Sequence, residues 1–305
     1  MTKVFIDGSA GTTGLRIYDR LSSRKDIELI ILPDELRKDT AARKQALNGC
    51  DIAFLCLPDA AAKEAVALIE NDNTVVIDTS TAHRTSDGWF YGFPELQQNA
   101  DYSKLKRIAN PGCHASGFIA LVKPLVDSKI INKDALLNCF SLTGYSGGGK
   151  QMINDYEDSD NQLLSAPRQY ALSQQHKHLK EMSALCGLDS LPAFCPVVAP
   201  FYSGMEVTVP LFTSQINGDI EQIKAVYKKC YNSGLVFFND NADENGFLSA
   251  SALTGKDNME ISVYGNDDRI ILVARYDNLG KGASGAAIQN MNLVLGVKED
   301  TGLEV

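Results

Sequence analysis

The chain has 305 residues, 44% hydrophobic and 22% charged, a make-up typical of a globular protein with room for two domains, each with its own core. A net charge of −9 argues against a general nucleic-acid binder, so an anionic substrate has to be met by a local cluster of cations. No apolar run approaches the ~20 residues that span a bilayer. The seven cysteines are scattered and odd in number, with no Cys-x-x-Cys pair, which predicts reduced thiols in a cytoplasmic setting without structural metal.

Met1–Asp7 leads directly into a strand from Lys3 to Asp7, so no signal or transit peptide is expected ahead of it. Gly8-Ser9-Ala10-Gly11-Thr12-Thr13-Gly14 comes next and opens a helical pattern through Leu21. Glycines spaced by three after a strand suit a dinucleotide turn: a tight bend, close backbone approach to the pyrophosphate, and a helix packed near the sheet. A tight strand-to-helix turn without a ligand has the same look. Ile27 to Leu32 reads as the second strand. The residues after this strand leave NAD and NADP both open, since Asp34 and Glu35 favour a free ribose hydroxyl while Arg37 and Lys38 favour a phosphate.

Asp51 to Leu57 is a nearly continuous apolar strand, and Pro58-Asp59 opens a helix over Ala60–Glu70. Thr74 to Asp78 is another buried strand, running into Thr79-Ser80-Thr81-Ala82-His83-Arg84. Strands alternating with helices at this spacing predict a Rossmann-type, doubly wound parallel sheet with ligands beyond the C-terminal strand ends. Pro58, Ser80 and Cys113 all fall at such ends and are expected to converge.

Asn110-Pro111-Gly112 is a polar turn that delivers Cys113; the small residues after it suit the first turn of a helix, and the apolar run Phe118–Val122 that succeeds them stops at Lys123-Pro124. A cysteine in the first turn of a helix sits among unpaired N–H groups at the positive end of the dipole, which favours the nucleophilic thiolate. The competing reading is a buried structural thiol.

Beyond Asp134 the rhythm changes. Leu136–Leu142, Met205–Phe212, Ile261–Tyr264 and Ile270–Tyr276 read as strands, and Ile220–Tyr231 as an amphipathic helix. Few helices intervene, which predicts a second α+β domain with a mostly antiparallel sheet. The predicted division is 1–112, completed by 280–305, against 113–279, with Ala283–Gly296 an apolar helix returning to the first domain.

Four histidines are present. In His176-Lys177-His178-Leu179-Lys180-Glu181 a helix puts His178 and Glu181 on one face, where the carboxylate can orient the imidazole; a solvated charged face is the alternative. His114 directly succeeds Cys113, but neighbouring helical side chains point apart. Tyr145-Ser146-Gly147-Gly148-Gly149-Lys150 is a second glycine-rich loop.

Gly8-x-x-Gly11-x-x-Gly14, Tyr91-Gly92-Phe93-Pro94-Glu95-Leu96, Asn110-Pro111-Gly112-Cys113, His176-Lys177-His178-x-x-Glu181 and Gly280-Lys281-Gly282-Ala283-Ser284-Gly285 occur in this order. Together they resemble the compact form of the N-acetyl-gamma-glutamyl-phosphate reductase family over nearly the whole chain. The longer form of that family has an aromatic residue where His114 stands. The resemblance implies the glyceraldehyde-phosphate/aspartate-semialdehyde dehydrogenase fold, a homo-oligomer, and NADPH-dependent reduction of an acyl phosphate through a thioester in arginine biosynthesis. It implies Cys113 as nucleophile, His178 or His176 as acid/base and Glu181 as its orienter. It implies cofactor contacts from Gly8 to Gly14 and from Arg37, Pro58, Ser80, Gly147, Gly148, Asn278 and Gly282. Candidate substrate contacts are Arg84, Asn110, Lys150, Arg168 and Lys177. Two other readings use the same features, a sister reductase of another acyl phosphate and a non-enzymatic NADP-sensing module.

Overall fold

The computed structural model describes residues 1–97, 99–232 and 234–305, and the chain divides into two compact units. The first comprises Met1–Pro94, Asn99–Gly112 and Ala283–Glu304; the second is mainly Cys113–Gly282 with a short piece at Glu95. Residues 280–282, expected with the first unit, group with the second. The buried carboxylate of Asp277 accepts from the Gly280 N–H at 3.1 Å, and Lys281 Nζ lies 2.6 Å from Glu95 Oε1, both side chains at most 5% exposed.

In the first unit the elements are β1 (Thr2–Asp7), α1 (Thr12–Ser22), β2 (Ile27–Ile30), α2 (Thr40–Gly49), β3 (Ile52–Leu55), α3 (Asp59–Ala67), β4 (Val75–Asp78), β5 (Phe90–Tyr91) and β6 (Arg107–Ala109). The sheet order is β2-β1-β3-β4-β6-β5, with every neighbouring pair parallel. Alternation explains the uninterrupted apolar strands. Val4, Ile6, Ile52, Phe54 and Ile77 face Ile17 and Leu21 of α1, while Phe5, Ala53, Leu55 and Val76 face Ala46 and Leu47 of α2 and Ala62 and Ala65 of α3. β2 is shorter than its apolar run because pairing with β1 ends at Phe5–Ile30.

The second unit contains α4 (Cys113–Asp127), β7 (Asn138–Gly144), α5 (Gly149–Glu157), β8 (Arg168–Gln169), α6 (His178–Cys186), β9 (Ala193–Ala199), β10 (Met205–Phe212), α7 (Ile220–Cys230), β11 (Val236–Phe238), β12 (Met259–Gly265) and β13 (Arg269–Tyr276). Its sheet, β11-β12-β13-β10-β7-β9-β8, is antiparallel except at the β11–β12 and β7–β9 pairs. Last comes α8 (Gly285–Val294), whose Ala287, Ile288 and Met291 close the first unit's core beside α1. Among the described residues no helix is long and apolar enough to cross a membrane.

The apolar run Phe118–Val122 stops at Lys123-Pro124, but α4 continues through Pro124 to Asp127. Proline lacks the N–H that would bond the carbonyl four residues back, which here belongs to Ala120. The buried Tyr231 hydroxyl donates to that carbonyl at 2.6 Å, and Tyr227 donates to the next one, Leu121. Tertiary donors replace the missing helical one, so the helix runs on.

Candidate active site

The first unit supplies a cavity at the β1–α1 turn. Gly8 has φ +89°, and a Cβ there would stand 2.2 Å from the Cys56 carbonyl oxygen; one at Gly14 would stand 2.4 Å from the Gly8 carbonyl. Only glycine fits this turn, which closes with a Gly11 N–H to Gly8 carbonyl bond of 3.0 Å. Beside it is a cavity of about 420 Å³ lined by Asp7, Gly8, Ser9, Ala10, Leu32, Arg37, Lys38 and Arg43, among others. Arg43 is tied to Asp7 (3.0 Å) and Glu64 (3.2 Å), and Arg37 pairs with Asp34 (2.7 Å). Burial raises the Asp7 pKa, against the pull of Arg43. Thr12 Oγ1, in the first turn of α1, is buried with no hydrogen-bond partner among the described residues. An orphaned hydroxyl at a helix N-terminus beside a glycine turn fits a phosphate-bearing cofactor.

Pro58 is the N-cap of α3, and Ser80 comes just after β4. Ser80 donates to Asp78 Oδ2 at 2.8 Å, and the same carboxylate oxygen meets His83 Nδ1 at 2.6 Å, with the His83 ring stacked on Trp89. Arg84, a candidate substrate cation, is buried and directs its guanidinium to backbone carbonyls: Nε to Asn110 (2.9 Å) and Nη2 to Thr79 (2.9 Å). These two bonds hold the turn that precedes Cys113. Asn110 donates through Nδ2 to the Ala283 carbonyl at 2.9 Å, while its Oδ1 has no partner among the described residues.

In the second unit Cys113 is the first residue of α4 and half-buried, and like the other six cysteines it forms no disulfide. Tyr276, at 0% exposure, donates its hydroxyl to the Cys113 carbonyl (2.6 Å) and accepts the Gly117 N–H (3.0 Å). Its oxygen thus sits inside the first helical turn. The absence of a side chain at Gly117 makes this possible, since a Cβ there would be 2.7 Å from that hydroxyl. A Cβ at Gly282 would stand 3.2 Å from the Cys113 Cβ, so this glycine leaves the thiol room.

The imidazoles gather near by. His114 is 3% exposed; its Nδ1 lies 2.6 Å from Ser141 Oγ and its Nε2 lies 2.6 Å from the Tyr170 hydroxyl. Burial, aided by His176, pushes its pKa down to about 3, so the ring is neutral at any working pH. Its centroid is 5.9 Å from that of His176 and 5.6 Å from that of His178, and the latter two are 4.7 Å apart. His176 is half-buried and accepts the His178 backbone N–H on Nδ1 at 3.2 Å; burial and then Lys177 lower its pKa. His178 and Glu181 occupy the first turn of α6 and are both buried. Among the described residues no group of three or more His, Cys, Asp or Glu is arranged to hold a metal ion.

Of the remaining candidates Asn278 is buried and the others lie on exposed segments. Asn278 binds Ser146 Oγ (3.0 Å) and the Gly204 N–H (2.9 Å), bracing the loop whose Gly147 and Gly148 are exposed. Lys150, Arg168 and Lys177 are exposed, and Arg168 lies 5.6 Å over the Tyr156 ring. Sequence reasoning missed Tyr170, Ser141 and Tyr276. Each comes from a different strand or loop, and no spacing links any of them to Cys113.

Residues 3–103 match the family model for the NAD binding domain of semialdehyde dehydrogenases, and residues 113–278 match that for their dimerisation domain. The N-acetyl-gamma-glutamyl-phosphate reductase 2 of Nostoc sp. is 42% identical, over 99% of this chain and 99% of that protein. The chain belongs to the N-acetyl-gamma-glutamyl-phosphate reductase family. The Brucella ovis reductase of that name is 44% identical, over 96% of this chain and 99% of its own. Aspartate semialdehyde dehydrogenase from Francisella tularensis shares the fold, with TM-score 0.73 at 15% identity over 97% of this chain and all (100%) of that one. Aspartate semialdehyde dehydrogenase II of Vibrio cholerae, solved with ASA, gives 0.70 at 18% identity, over 97% and 98% of the two chains. Within this family Gly282 and the buried Lys281–Glu95 pair explain two of the sequence motifs. One leaves room at the cysteine, and the other fastens the turn that carries that glycine.

Proposed function

We propose that the protein reduces N-acetyl-glutamyl 5-phosphate to N-acetyl-glutamate 5-semialdehyde and phosphate, using NADPH. The observation that carries this reading is Cys113 at the mouth of α4, half-buried and followed in the chain by His114, whose ring meets His176, His178 and Tyr170. Its thiolate attacks the acyl carbon, the carbon–oxygen bond to phosphate breaks, and a thioester remains on the sulfur. When bound, the dinucleotide supplies the hydride that takes this thioester to the aldehyde oxidation level. The carbon–sulfur bond then breaks, restoring the thiolate. His178, oriented by Glu181, transfers the proton that the overall reaction takes up, with His176 as the alternative. Such help is worth about 10²–10⁴-fold. The backbone N–H groups of the first turn of α4 offer donors to the developing oxyanion.

Support for NADP over NAD comes from the cavity at the glycine turn, whose lining includes Arg37 and Lys38 from the segment between β2 and α2. Gly8 to Gly14, Pro58 and Ser80 are assigned to the cofactor, with Gly147, Gly148, Asn278 and Gly282 toward its nicotinamide end. The exposed cations Lys150, Arg168 and Lys177 and the open Oδ1 of Asn110 are assigned to substrate. The working form is a homo-oligomer in the cytoplasm. Phe140, Phe212 and Ile271, 43%, 54% and 39% exposed, project from the same face of the second sheet and offer an apolar contact to another copy.

The deciding assay is phosphate-dependent NADP reduction with N-acetylglutamate semialdehyde, beside aspartate semialdehyde under the same conditions. Preference for the acetylated substrate is expected. Preference for the aspartyl compound would move the chain to the sister reaction, and activity with neither would remove the enzymatic reading.

A further inference from the structure

The Ser141–His114–Tyr170 chain fixes the direction of three protons. Ser141 is fully buried (0% exposed), and among the described residues its hydroxyl has one hydrogen-bond partner, His114 Nδ1 at 2.6 Å. A buried hydroxyl proton with one place to go goes there, because leaving it unbonded costs the desolvation of the group with no bond in return. Nδ1 is then an acceptor. A neutral imidazole carries one N–H, so that proton must be on Nε2, which donates to the Tyr170 oxygen at 2.6 Å. With its oxygen accepting from the imidazole, Tyr170 keeps its own proton for another acceptor, and among the described residues none is bonded to it.

The position of this free proton matters. His114 is next to Cys113 in the first turn of α4, so Tyr170 is anchored one residue from the nucleophile. Tyr170 is half-buried, and its ring meets His176 edge-on at 6.0 Å. Burial, and then the Cys113 sulfur, raise its pKa, so the phenol remains a donor throughout the working range.

We propose that Tyr170, aimed by the Ser141–His114 pair, is a catalytic hydrogen-bond donor to the acyl oxygen as negative charge develops on it during attack by Cys113. No proton is transferred: the O–H points at the oxygen before reaction and shortens its hydrogen bond as the tetrahedral species forms. Ser141 and His114 are positioning residues in this scheme. The proposal rests on Cys113 being the nucleophile and deepens that reading.

Two measurements test it. In the wild-type protein labelled with ¹⁵N-histidine, long-range proton–nitrogen correlation reports which His114 nitrogen is protonated, with His114→Gln identifying the signal among four histidines. A proton on Nε2 from pH 5 to 9 is expected; one on Nδ1 overturns the proposal, because Tyr170 would then donate into the ring. In the second test Tyr170→Phe is expected to lower kcat about 10²-fold, the usual effect of losing one oxyanion donor, with KM, NADPH affinity and the iodoacetamide rate of Cys113 within about twofold. A kcat within threefold of wild type overturns the proposal. So does an equal fall in the iodoacetamide rate, which would mean the tyrosine acts on the thiol itself. If Tyr170→Phe does not fold, the wild-type tautomer decides. Full activity in Cys113→Ser would instead sink the underlying nucleophile assignment, whatever the tautomer.

Discussion

The helices α1 and α4 both come after a parallel strand and both begin at residues assigned to function, yet their ends are finished in opposite ways. α1 begins with no side-chain cap, and its buried Thr12 hydroxyl has no hydrogen-bond partner among the described residues. α4 is sealed by tyrosines: Tyr276 enters its first turn, and Tyr227 and Tyr231 cover two carbonyls farther along. An end left open can bind a charged group that arrives and leaves. An end tied down suits a residue that must stay in place through a turnover, the role proposed for Cys113. The difference lies in where the backbone's hydrogen bonds go.

The largest test of this contrast is Cys113→Ser. It should lower reductase turnover at least about 10³-fold while NADPH still binds, since the thiol belongs to the sealed helix and the cofactor cavity to the open one. Parallel loss of NADPH affinity by fluorescence titration would erase the distinction.

Next comes Gly8→Ala, which places a Cβ 2.2 Å from the Cys56 oxygen at φ +89°. It should destabilise the first unit by about 2–4 kcal/mol and weaken NADPH binding. Unchanged thermal unfolding and affinity would show that the turn has slack.

The sealed helix is probed by Tyr231→Phe, which strands the buried Ala120 carbonyl and should cost about 1–3 kcal/mol. Adding Pro124→Ala restores an N–H for that carbonyl, so the double variant should recover part of the loss in denaturant unfolding. Simple additivity of the two changes would contradict this account of why the helix passes Pro124.

The smallest effect near neutrality is the pH dependence set by His114. Its folded pKa, about 3, lies below the ordinary 6.5, so below pH 6.5 the unfolded chain takes up a proton that the folded one refuses. Stability from this residue is present above pH 6.5 and falls by up to about 1.4 kcal/mol per unit as pH drops towards 3. His114→Gln should flatten that part of the unfolding profile, and an unaltered profile would show that the ring titrates freely.

The parallel sheet was legible because burial on both faces writes itself into consecutive residues, as in Ile52–Leu55. The glycine turn was legible because Gly8 and Gly14 leave no space for any other residue. That Cys113 opens a helix and that His178 and Glu181 share a helical turn was likewise visible, since turn chemistry and short spacing are local signals. Other features depend on partners far away in the chain. α4 passes Pro124 only because Tyr231, 111 residues beyond Ala120, lends a donor. Arg84 reaches the Asn110 carbonyl, 26 residues along the chain.

The amino-acid sequence by itself thus determined the two classes of sheet and the family, because these stem from periodicity, turn stereochemistry and residues adjacent in the chain. Only the tertiary structure decided the protonation state of His114 and what surrounds it. Ser141 lies 27 residues and Tyr170 56 residues from His114, and desolvation at the place where they meet is a property of packing that no local pattern encodes.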